Sequence, residues 1–511
     1  MELEIDWLQQ LGSSSKEVGN AVILDDNNYY LYASGYTEGA LSDNSTNSGT
    51  SNAWIAKFYA KSGERIWLQQ LIPEDSQSQV SYGIAVDEGG VYAAIATVNS
   101  DENRASSVSK FDLDTGEALW TYNFESDSDV SNELFSIVAD GNGYLYVTGF
   151  VTGSMLSETG EVLTSISGTD AWIAKLSTDC DLVWLRQLGS DGADVGWSIA
   201  VDGSGNVYAA GQTTGVIVDR EETTIDETSI KDTWIAKYDG EGNRQWIVQF
   251  GSDESVDHIA NAIEVDHSGG VYATGYTGTL QLSQQTWVAK FRASTGEKIW
   301  LNQLGDSDSS TQGNSIAIDN YGGVYVAGMT QDQLYTENQL DAELGNLNYY
   351  DAWLAKYDAH KGTRVWLKQV TATSSDLDDA TEGITVDPSG SIYVTGYTNS
   401  QMSEISSQEG NADIWLAKFR EVPQSYEELA QVLKQYLDYK LSQPTATLVE
   451  AVDTTSTTTS TNITTNSHLE VAADLVATNG SSTEEETETT TVSGNSLSVL
   501  GVVAALAKSK S

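Results

Sequence analysis

Short apolar runs alternate with small polar turns along most of the chain, and the same order of runs returns about every 60 residues. The apolar runs of one unit are Trp197–Asp202, Val207–Gly211, Trp234–Tyr238 and Trp246–Phe250, all rich in Val, Ile, Tyr, Ala and Trp. Clusters of Asp, Gly, Asn and Ser separate them, which is typical of strands joined by tight turns. Each unit is therefore predicted to contain four strands, named A, B, C and D in chain order.

Seven copies of the unit share the same marker residues: strand A ends in Asp, strand B carries Tyr and strand D carries Trp. Self-similarity at a fixed period marks a repeat architecture, and four antiparallel strands per repeat predict a propeller blade. The strand-D tryptophans are Trp7, Trp67, Trp120, Trp184, Trp246, Trp300 and Trp366. The strand-A aspartates are Asp25, Asp87, Asp140, Asp202, Asp266, Asp319 and Asp387. The strand-B tyrosines are Tyr32, Tyr92, Tyr146, Tyr208, Tyr272, Tyr325 and Tyr393.

Strand C holds a Trp followed by an aliphatic residue, Ala and Lys in six copies, whereas the second copy has degenerated to Ser-Val-Ser-Lys-Phe, ending at Phe111. The chain opens inside a strand D, Ile5–Leu11, and its seventh unit stops after strand C near Phe419. We expect the N-terminal strand to complete the last blade, because this closes the ring and hides sheet edges. An open solenoid is the alternative. The predicted fold class is all-β: a seven-bladed propeller of four-stranded antiparallel blades, plus a C-terminal helix and a disordered tail.

Four segments are predicted, the first being the propeller at residues 1–421. Residues 422–443 are predicted to form an amphipathic helix that packs on the propeller or serves a partner, because a capping box is followed by an apolar stripe at helical spacing. Residues 444–495 are rich in Thr and Ser and are predicted to be a disordered linker. The short apolar run in 496–511 is well below the roughly 20 residues that span a bilayer. It is interpreted as a docked peptide, an interfacial anchor or a secretion signal.

Acidic residues dominate the charge: 74 Asp and Glu against 25 Lys and Arg give a formal net charge of −49. Such a field repels nucleic acid and anionic membranes and attracts cations, so neither nucleic acid nor lipid is expected as a partner. The charge is explained either by a salty or calcium-containing exterior or by specific cation sites. The single Cys180 excludes an internal disulfide framework. The predicted location is extracellular or at the cell surface, although the N-terminus lacks the pattern of a signal peptide.

The regularly repeated aromatic and aspartate positions are interpreted as structural. We expect the Trp and Tyr side chains to pack between blades, and the strand-A aspartates to accept hydrogen bonds from turn amides. Four further aspartates stand two residues before the strand-C Trp, where they would cap the strand or pair with a neighbouring blade. They are Asp170, Asp232, Asp351 and Asp413.

Long acidic connections are all of two kinds, B to C and D to A, and strand order places both on one face of an antiparallel blade. Function often resides on loops carried by a rigid scaffold, and hard cations prefer several converging oxygen ligands. The sequence thus predicts a face that binds Ca²⁺ or a polyhydroxylated or cationic ligand, with solvated surface acid as the alternative. No loop matches an EF-hand or a glycine-rich calcium repeat. The candidate metal ligands are Asp191, Asp194, Asp253, Asp257, Asp306, Asp308, Asp376 and Asp378.

Catalytic motifs are not evident, and no catalytic residue is assigned. The four histidines lack metal-ligand spacing, and Cys180 has no obvious His partner. A carboxylate pair could hydrolyse a glycoside, but with 74 acidic residues some pair always looks suitable. An enzyme would need Asp, Arg and His to converge at the channel mouth on the acidic face.

The phrase Val201–Gly211, with the strand-C and strand-D phrases that follow it, resembles the bacterial seven-bladed beta-propeller family known as SBBP repeat proteins. That resemblance covers about residues 1–420 and implies a bacterial surface or secreted protein, without supplying a catalytic motif. Phe111–Trp120 and Phe291–Trp300 also resemble the repeats of quinone-dependent dehydrogenases. We therefore predict a non-enzymatic module that binds a protein or glycan on its acidic loop face. The alternatives are a lyase, a glycosidase, a quinone-dependent dehydrogenase or a calcium-binding structural surface protein.

Overall fold

The computed structural model describes most of the propeller and none of the chain after residue 423. The predicted linker, the C-terminal apolar segment and the predicted helix from residue 424 onward lie outside the described residues. No helix long and apolar enough to cross a membrane is found within the described ranges. These are residues 2–41, 50–73, 77–99, 102–127, 130–163, 168–217, 230–251, 256–278, 283–305, 310–331, 334, 349–370, 377–402 and 411–423.

The described residues form 28 strands in seven four-stranded antiparallel sheets, which confirms the predicted blades. The N-terminal strand β1 (Glu2–Leu11) belongs to blade 7. Blade 1 contains β2 (Glu17–Leu24), β3 (Tyr30–Thr37), β4 (Asn52–Tyr59) and β5 (Arg65–Gln70), and blade 2 contains β6 (Ser78–Asp87), β7 (Gly90–Val98), β8 (Arg104–Phe111) and β9 (Ala118–Asn123). Blade 3 contains β10 (Asn132–Ala139), β11 (Tyr144–Val151), β12 (Asp170–Ser177) and β13 (Leu182–Leu188). Blades 4 and 5 contain β14 (Asp194–Val201), β15 (Val207–Thr213), β16 (Asp232–Tyr238), β17 (Arg244–Phe250); β18 (Asp257–Val265), β19 (Gly270–Gly278), β20 (Gln285–Arg292), β21 (Lys298–Leu304). Blades 6 and 7 contain β22 (Thr311–Ile318), β23 (Gly323–Thr330), β24 (Asp351–Asp358), β25 (Arg364–Val370); β26 (Asp379–Val386), β27 (Ile392–Thr398), β28 (Asp413–Val422) and the N-terminal β1 (Glu2–Leu11).

Strand A is the inner strand of every blade and strand D the outer one. Strands β2, β6, β10, β14, β18, β22 and β26 contact one another from blade to blade, and β2 also contacts β26. In blade 7 the outer position is taken by β1, which pairs antiparallel with β28 from Glu2 opposite Val422 to Leu11 opposite Ile414. The last strand therefore reaches one residue past the predicted propeller boundary at 421.

An Asp, a Tyr, a Lys and a Trp occupy matching places at the A–B end of each blade. In blade 5, Asp266 accepts hydrogen bonds from the amides of Ser268 and Gly270 and, at 2.7 Å, from the hydroxyl of Tyr272. Lys290 Nζ lies 4.8 Å from the centre of the Tyr272 ring. In all seven blades the strand-A aspartate accepts a hydrogen bond from a turn amide, which confirms the predicted turn role.

The strand-D tryptophans join consecutive blades. The indole N–H of Trp246 in blade 4 donates to the carbonyl of Ala293 in blade 5 at 3.0 Å. Trp7 makes the same bond from blade 7 to the carbonyl of Ala60 in blade 1, also at 3.0 Å. Because Trp7 belongs to the last blade and Ala60 to the first, this bond lies across the seam that closes the ring.

The strand-C tryptophans form the core, as predicted. Trp234 is fully buried between blades 3 and 4, and its indole N–H donates to the carbonyl of Gln212 at 3.0 Å. A Cβ atom on Gly211 would overlap the carbonyl oxygen of Val195 and lie 3.0 Å from the Trp234 ring, so strand B has room only for glycine beside this indole. The same fully buried tryptophan recurs as Trp54, Trp172, Trp287, Trp353 and Trp415.

Glu264 breaks this apolar pattern on strand A of blade 5. It stands opposite the core Tyr272, and the matching residues of other blades include Ala200 and Ala317. Its carboxylate accepts a hydrogen bond from the amide of Val265, and burial raises its pKa to about 7. Folding therefore favours the protonated acid, so the stability contribution present below the ordinary pKa of 4.5 is lost as pH rises towards about 7.

We expect Glu264→Gln to raise the melting temperature at about pH 8.5 and to change it little at about pH 4. The gain in the free energy of unfolding at high pH is at most about 3 kcal/mol, because the neutral amide has no charge to desolvate. Thermal unfolding at both pH values measures the difference. Glu64→Gln, on an exposed turn, is the control. An equal effect of Glu264→Gln at both pH values would contradict the explanation by charge burial.

Candidate functional site

The B–C and D–A connections lie on one face of the ring, called the loop face below. Among the predicted metal ligands, Asp191 is exposed there, whereas Asp194 is fully buried at the start of β14. Asp194 accepts hydrogen bonds from the amide of Ser190 at 2.6 Å and from its hydroxyl at 2.8 Å. Burial raises the pKa of Asp194. This carboxylate therefore organises its own loop.

Asp257 and Asp378 also bind backbone at the loop face. Asp257 accepts from the amide of Lys231 at 3.0 Å, and Asp378 accepts from the amide of Tyr350 at 2.9 Å. No group of three or more His, Cys, Asp or Glu side chains within the described ranges is arranged to hold a metal ion. Calcium binding stays a prediction, because half of its candidate ligands lie outside the described residues. These are Asp253, Asp306, Asp308 and Asp376.

A glutamine on strand D fastens the B–C loop to the blade. In blade 4, the amide nitrogen of Gln249 donates to Asp232 and to the carbonyl of Gly215, both at 2.9 Å. The amide oxygen of Gln249 accepts from the amide of Ile217 at 3.0 Å. The strand-C aspartates thus bind a strand-D glutamine of their own blade, as the matching pairs show: Asp170 with Gln187, Asp351 with Gln369 and Asp413 with Gln10.

Blade 2 has lost every member of this arrangement. Strand pairing places Ser107 where the other blades have the buried Trp, and Ile95 where most have Gly. Ala105 replaces the strand-C aspartate, and Asn123 replaces the strand-D glutamine opposite Ser107. The B–C connection is also short, covering residues 99–103 against 214–231 in blade 4.

A cleft of about 630 Å³ begins at this place on the loop face and runs along strands C and D to Phe111 and Ala118 beside the C–D turn. Its floor includes Ile95, Ser107 and Ser109, which are almost completely buried, and its outer wall includes the exposed Thr121 and Asn123. The lining contains hydroxyl, amide and apolar side chains but no Asp, Glu, His, Lys or Cys among the described residues.

Arg104 is the charged side chain of the cleft lining. Its guanidinium pairs with Glu133 of blade 3, whose side chain is 2% exposed, while Arg104 itself remains 45% exposed. The cleft therefore stands out on a protein of net charge −49 as a site lined by neutral groups and one cation.

A second set of special residues lies at the inner edge of the blades. Every strand A has a β-bulge at the same position, and the extra residues form what we call the inner ring. Phe135 contacts Trp197 and Tyr82, with ring centroids 4.3 and 5.1 Å apart. Asn314 donates to Glu382 at 3.1 Å, and burial raises the pKa of Glu382 to about 7. The inner ring is Asn20, Tyr82, Phe135, Trp197, Asn261, Asn314 and Glu382.

The inner ring contains neither Arg nor His, and its single carboxyl group is bound to Asn314. The constellation of Asp, Arg and His that an enzyme would need at the channel mouth is not present at these seven positions. The described interactions of the inner ring include aromatic contacts and hydrogen bonds from asparagine side chains to the next blade. For example, the amide nitrogen of the Asn20 side chain donates to the carbonyl of Ser81 at 2.9 Å.

Sequence reasoning identified the degenerate second copy but assigned it no site. The strand-D glutamine was part of the recognised strand-D phrase but was given no role, although it recurs three residues after the strand-D Trp in six copies and is replaced by Asn123 in the second. Simultaneous loss of Trp, Gly, Asp and Gln in one copy is the signal that could have located the cleft.

Several solved structures resemble the chain at low identity. The phage phi92 endosialidase is 11% identical, with 83% of this chain and 70% of that chain covered and a TM-score of 0.42. The quinohemoprotein alcohol dehydrogenase from Comamonas testosteroni is also 11% identical, with 83% and 78% covered and a TM-score of 0.41. A protein of unknown function from Dyadobacter fermentans is 12% identical, with 82% and 99% covered and a TM-score of 0.42. Likenesses at this level bear on neither activity nor ligand.

No curated protein matches the chain by sequence. A model of the SBBP beta-propeller repeat matches residues 183–217, 299–335 and 365–401. Each matched stretch covers strand D of one blade together with strands A and B of the next. The chain is a seven-bladed propeller that carries SBBP beta-propeller repeats.

Proposed function

We propose that the protein is a non-enzymatic binding module of the cell surface or exterior, and that its ligand enters the cleft of blade 2 on the loop face. The observation that carries this proposal is that blade 2 alone lacks the strand-C Trp, the Gly opposite it and the strand-D Gln, and that its B–C connection is short as well. Each loss alone would leave a defect in the core. Together they accompany an open cleft with a polar rim.

The chemistry of the lining favours binding over catalysis. A serine nucleophile needs a neighbouring base, and glycoside hydrolysis needs two carboxyl groups. Ser107 and Ser109 lie in the cleft, but the described lining offers neither a base nor a carboxylate. Hydroxyl and amide groups instead supply donors and acceptors that fix the orientation of a ligand without reacting with it.

The net charge of the whole chain supports a location outside the cell and a partner that is neither nucleic acid nor an anionic membrane. A net charge of −49 keeps a protein soluble and repels nucleic acid and anionic membranes, in line with exposure to a salty exterior. Calcium binding by the loop face remains a separate proposal. A calorimetric titration with CaCl₂ tests it on the full chain, and absence of both heat and a melting-temperature change would rule it out.

The binding proposal is tested by filling the cleft with the residues that the other blades use. We expect Ile95→Gly/Ser107→Trp to reduce retention of bound probes at least tenfold, while the variant stays folded. The probes are an array of neutral oligosaccharides and a phage-displayed library of random peptides, each applied to the full chain. Val216→Ala, at an exposed position in the B–C loop of blade 4, is the matched control. Equal retention by the wild type and the filled variant, or no retained probe, would refute the proposal.

A further inference from the structure

The cleft in blade 2 occupies the place where six other blades hold an indole. In blade 4 this indole, Trp234, packs in one cluster with Ile173 and Leu188 of blade 3. Ile173 directly follows the strand-C Trp of blade 3, and Leu188 directly follows its strand-D glutamine. These two residues form the wall against which the indole of the next blade rests.

Blade 1 keeps the same wall although blade 2 has no indole to place against it. Ile55 directly follows Trp54 on strand C, and Leu71 directly follows Gln70 of strand D. Ile55 is fully buried in the cluster between blades 1 and 2, and Leu71 lines the cleft and packs against that cluster. Blade 1 has therefore kept the apolar residues of an indole site, and of the two it is Leu71 that borders the cleft.

We infer that the cleft receives the side chain of a tryptophan presented by a partner protein. The inference rests on the proposed binding function and adds the class of ligand. Within this chain, six matching sites bury a tryptophan completely, so the geometry between blades is already suited to a flat bicyclic ring. Large aromatic side chains also dominate the energetics of protein interfaces when a pocket buries them.

The guest ring lies closer to the rim than the built-in tryptophans do. A Cβ atom on Gly396 would be 2.9 Å from the indole nitrogen of Trp415, so the Ile95 side chain at the matching position of blade 2 fills the deepest part of the site. The remaining volume extends outward to the exposed Thr121 and Asn123.

The polar rim fits the main chain on either side of such a tryptophan. Asn103 and Asn123 are exposed at the cleft, and their amide groups can donate to a carbonyl and accept from an N–H. The half-exposed guanidinium of Arg104 can lie against the face of an indole. Because the described lining contains no carboxylate, a neutral peptide enters without removing water from a carboxylate group there.

The test uses N-acetyl-tryptophanamide with the full chain, followed by NMR shift perturbation and isothermal titration. A single side chain in such a pocket is expected to bind with a dissociation constant on the order of 1 mM. N-acetyl-leucinamide is the control probe, and we expect at least tenfold weaker binding. The filled variant Ile95→Gly/Ser107→Trp should lose binding of the tryptophan probe.

A second variant keeps the test decisive if the filled variant fails to fold. Thr121→Tyr narrows the cleft from an exposed strand position and leaves the core unchanged. It is expected to weaken binding of the tryptophan probe at least fivefold, whereas Val216→Ala should leave it unchanged.

The result that would overturn the inference is binding of the tryptophan probe no tighter than that of the leucine probe, or equal binding by the wild type and both cleft variants. If a neutral oligosaccharide binds instead and the cleft variants abolish its binding, the tryptophan inference fails and the proposed binding function stands. If no probe responds to the cleft variants, both fail.

Discussion

A chain without residues 1–11 should unfold at a markedly lower temperature than the full chain and over a broader range of temperature. The deletion removes β1, which pairs with β28 along its length, contributes Leu3 and Leu8 to the packing of blade 7 against blade 6, and contributes Trp7 to the packing of blade 7 against blade 1. It also exposes the edge of β28, whose Arg420 pairs with Glu4 at 2.8 Å and with Asp6 at 2.7 Å. Trp7 is partly buried, so loss of its side chain alone should lower the free energy of unfolding by less than the roughly 3 to 5 kcal/mol typical of a fully buried Trp, and the whole deletion should lower it further.

Differential scanning calorimetry measures the effect, and a synthetic peptide of residues 1–11 provides the control. Added in excess to the shortened chain, the peptide should restore much of the lost melting temperature, because it can occupy the same edge of β28. A peptide with Trp7 replaced by Ala should restore less. An unchanged melting temperature after deletion would show that β1 contributes little to holding the ring together.

Trp234→Ala should lower the free energy of unfolding by about 3 to 5 kcal/mol. The side chain is fully buried, and Gly211 gives the surrounding backbone no side chain with which to fill the space. The indole bond to the carbonyl of Gln212 is lost as well. Urea unfolding of the variant measures the loss, with Leu119→Ala as the control because Leu119 is 53% exposed. A loss below about 1 kcal/mol would mean that the surrounding side chains move in to fill the space left by the indole.

Blade number and strand content were predictable because both depend on local chemistry. An Asp followed by small polar residues forms a turn wherever it stands, and Asp266 with its matching residues shows this in the structure. Alternation of aromatic and small residues then fixes which positions are buried. Seven repetitions of that pattern leave few alternatives to a ring.

The departure of the second copy from the repeat was visible in the sequence, but the cleft was not predicted, because it depends on residues that meet only after the strands are paired. The register of β7 and β8 places Ile95 opposite Ser107 and so shows that both replace the Gly and the indole of one site. The inner ring was missed for a related reason. A bulge shifts the alternation by one residue, so Phe135 and Glu382 change direction at a point that their sequence pattern does not mark.

The predicted acidic loops included aspartates that belong to strands. Asp191 and Asp194 are three positions apart, yet the first is exposed and the second is the buried first residue of β14. Asp194 accepts hydrogen bonds from the amide and the hydroxyl of Ser190 in the preceding loop, and the sequence alone does not indicate this contact. Element ends are the least certain part of any reading from sequence, and here they decide whether a carboxylate faces water.

Because Glu2 pairs with Val422, the two ends of the ring lie side by side at the place where a C–D turn joins the strands in the other blades. Five other blades have this turn closed by a glycine with positive φ, such as Gly63 in blade 1 and Gly242 in blade 4. A reordered chain that begins at Gly63 and joins Val422 to Glu2 through a short turn would contain the same 28 strands and the same contacts between blades. Which blade is synthesised first is therefore interchangeable, whereas the order of neighbours around the ring is not.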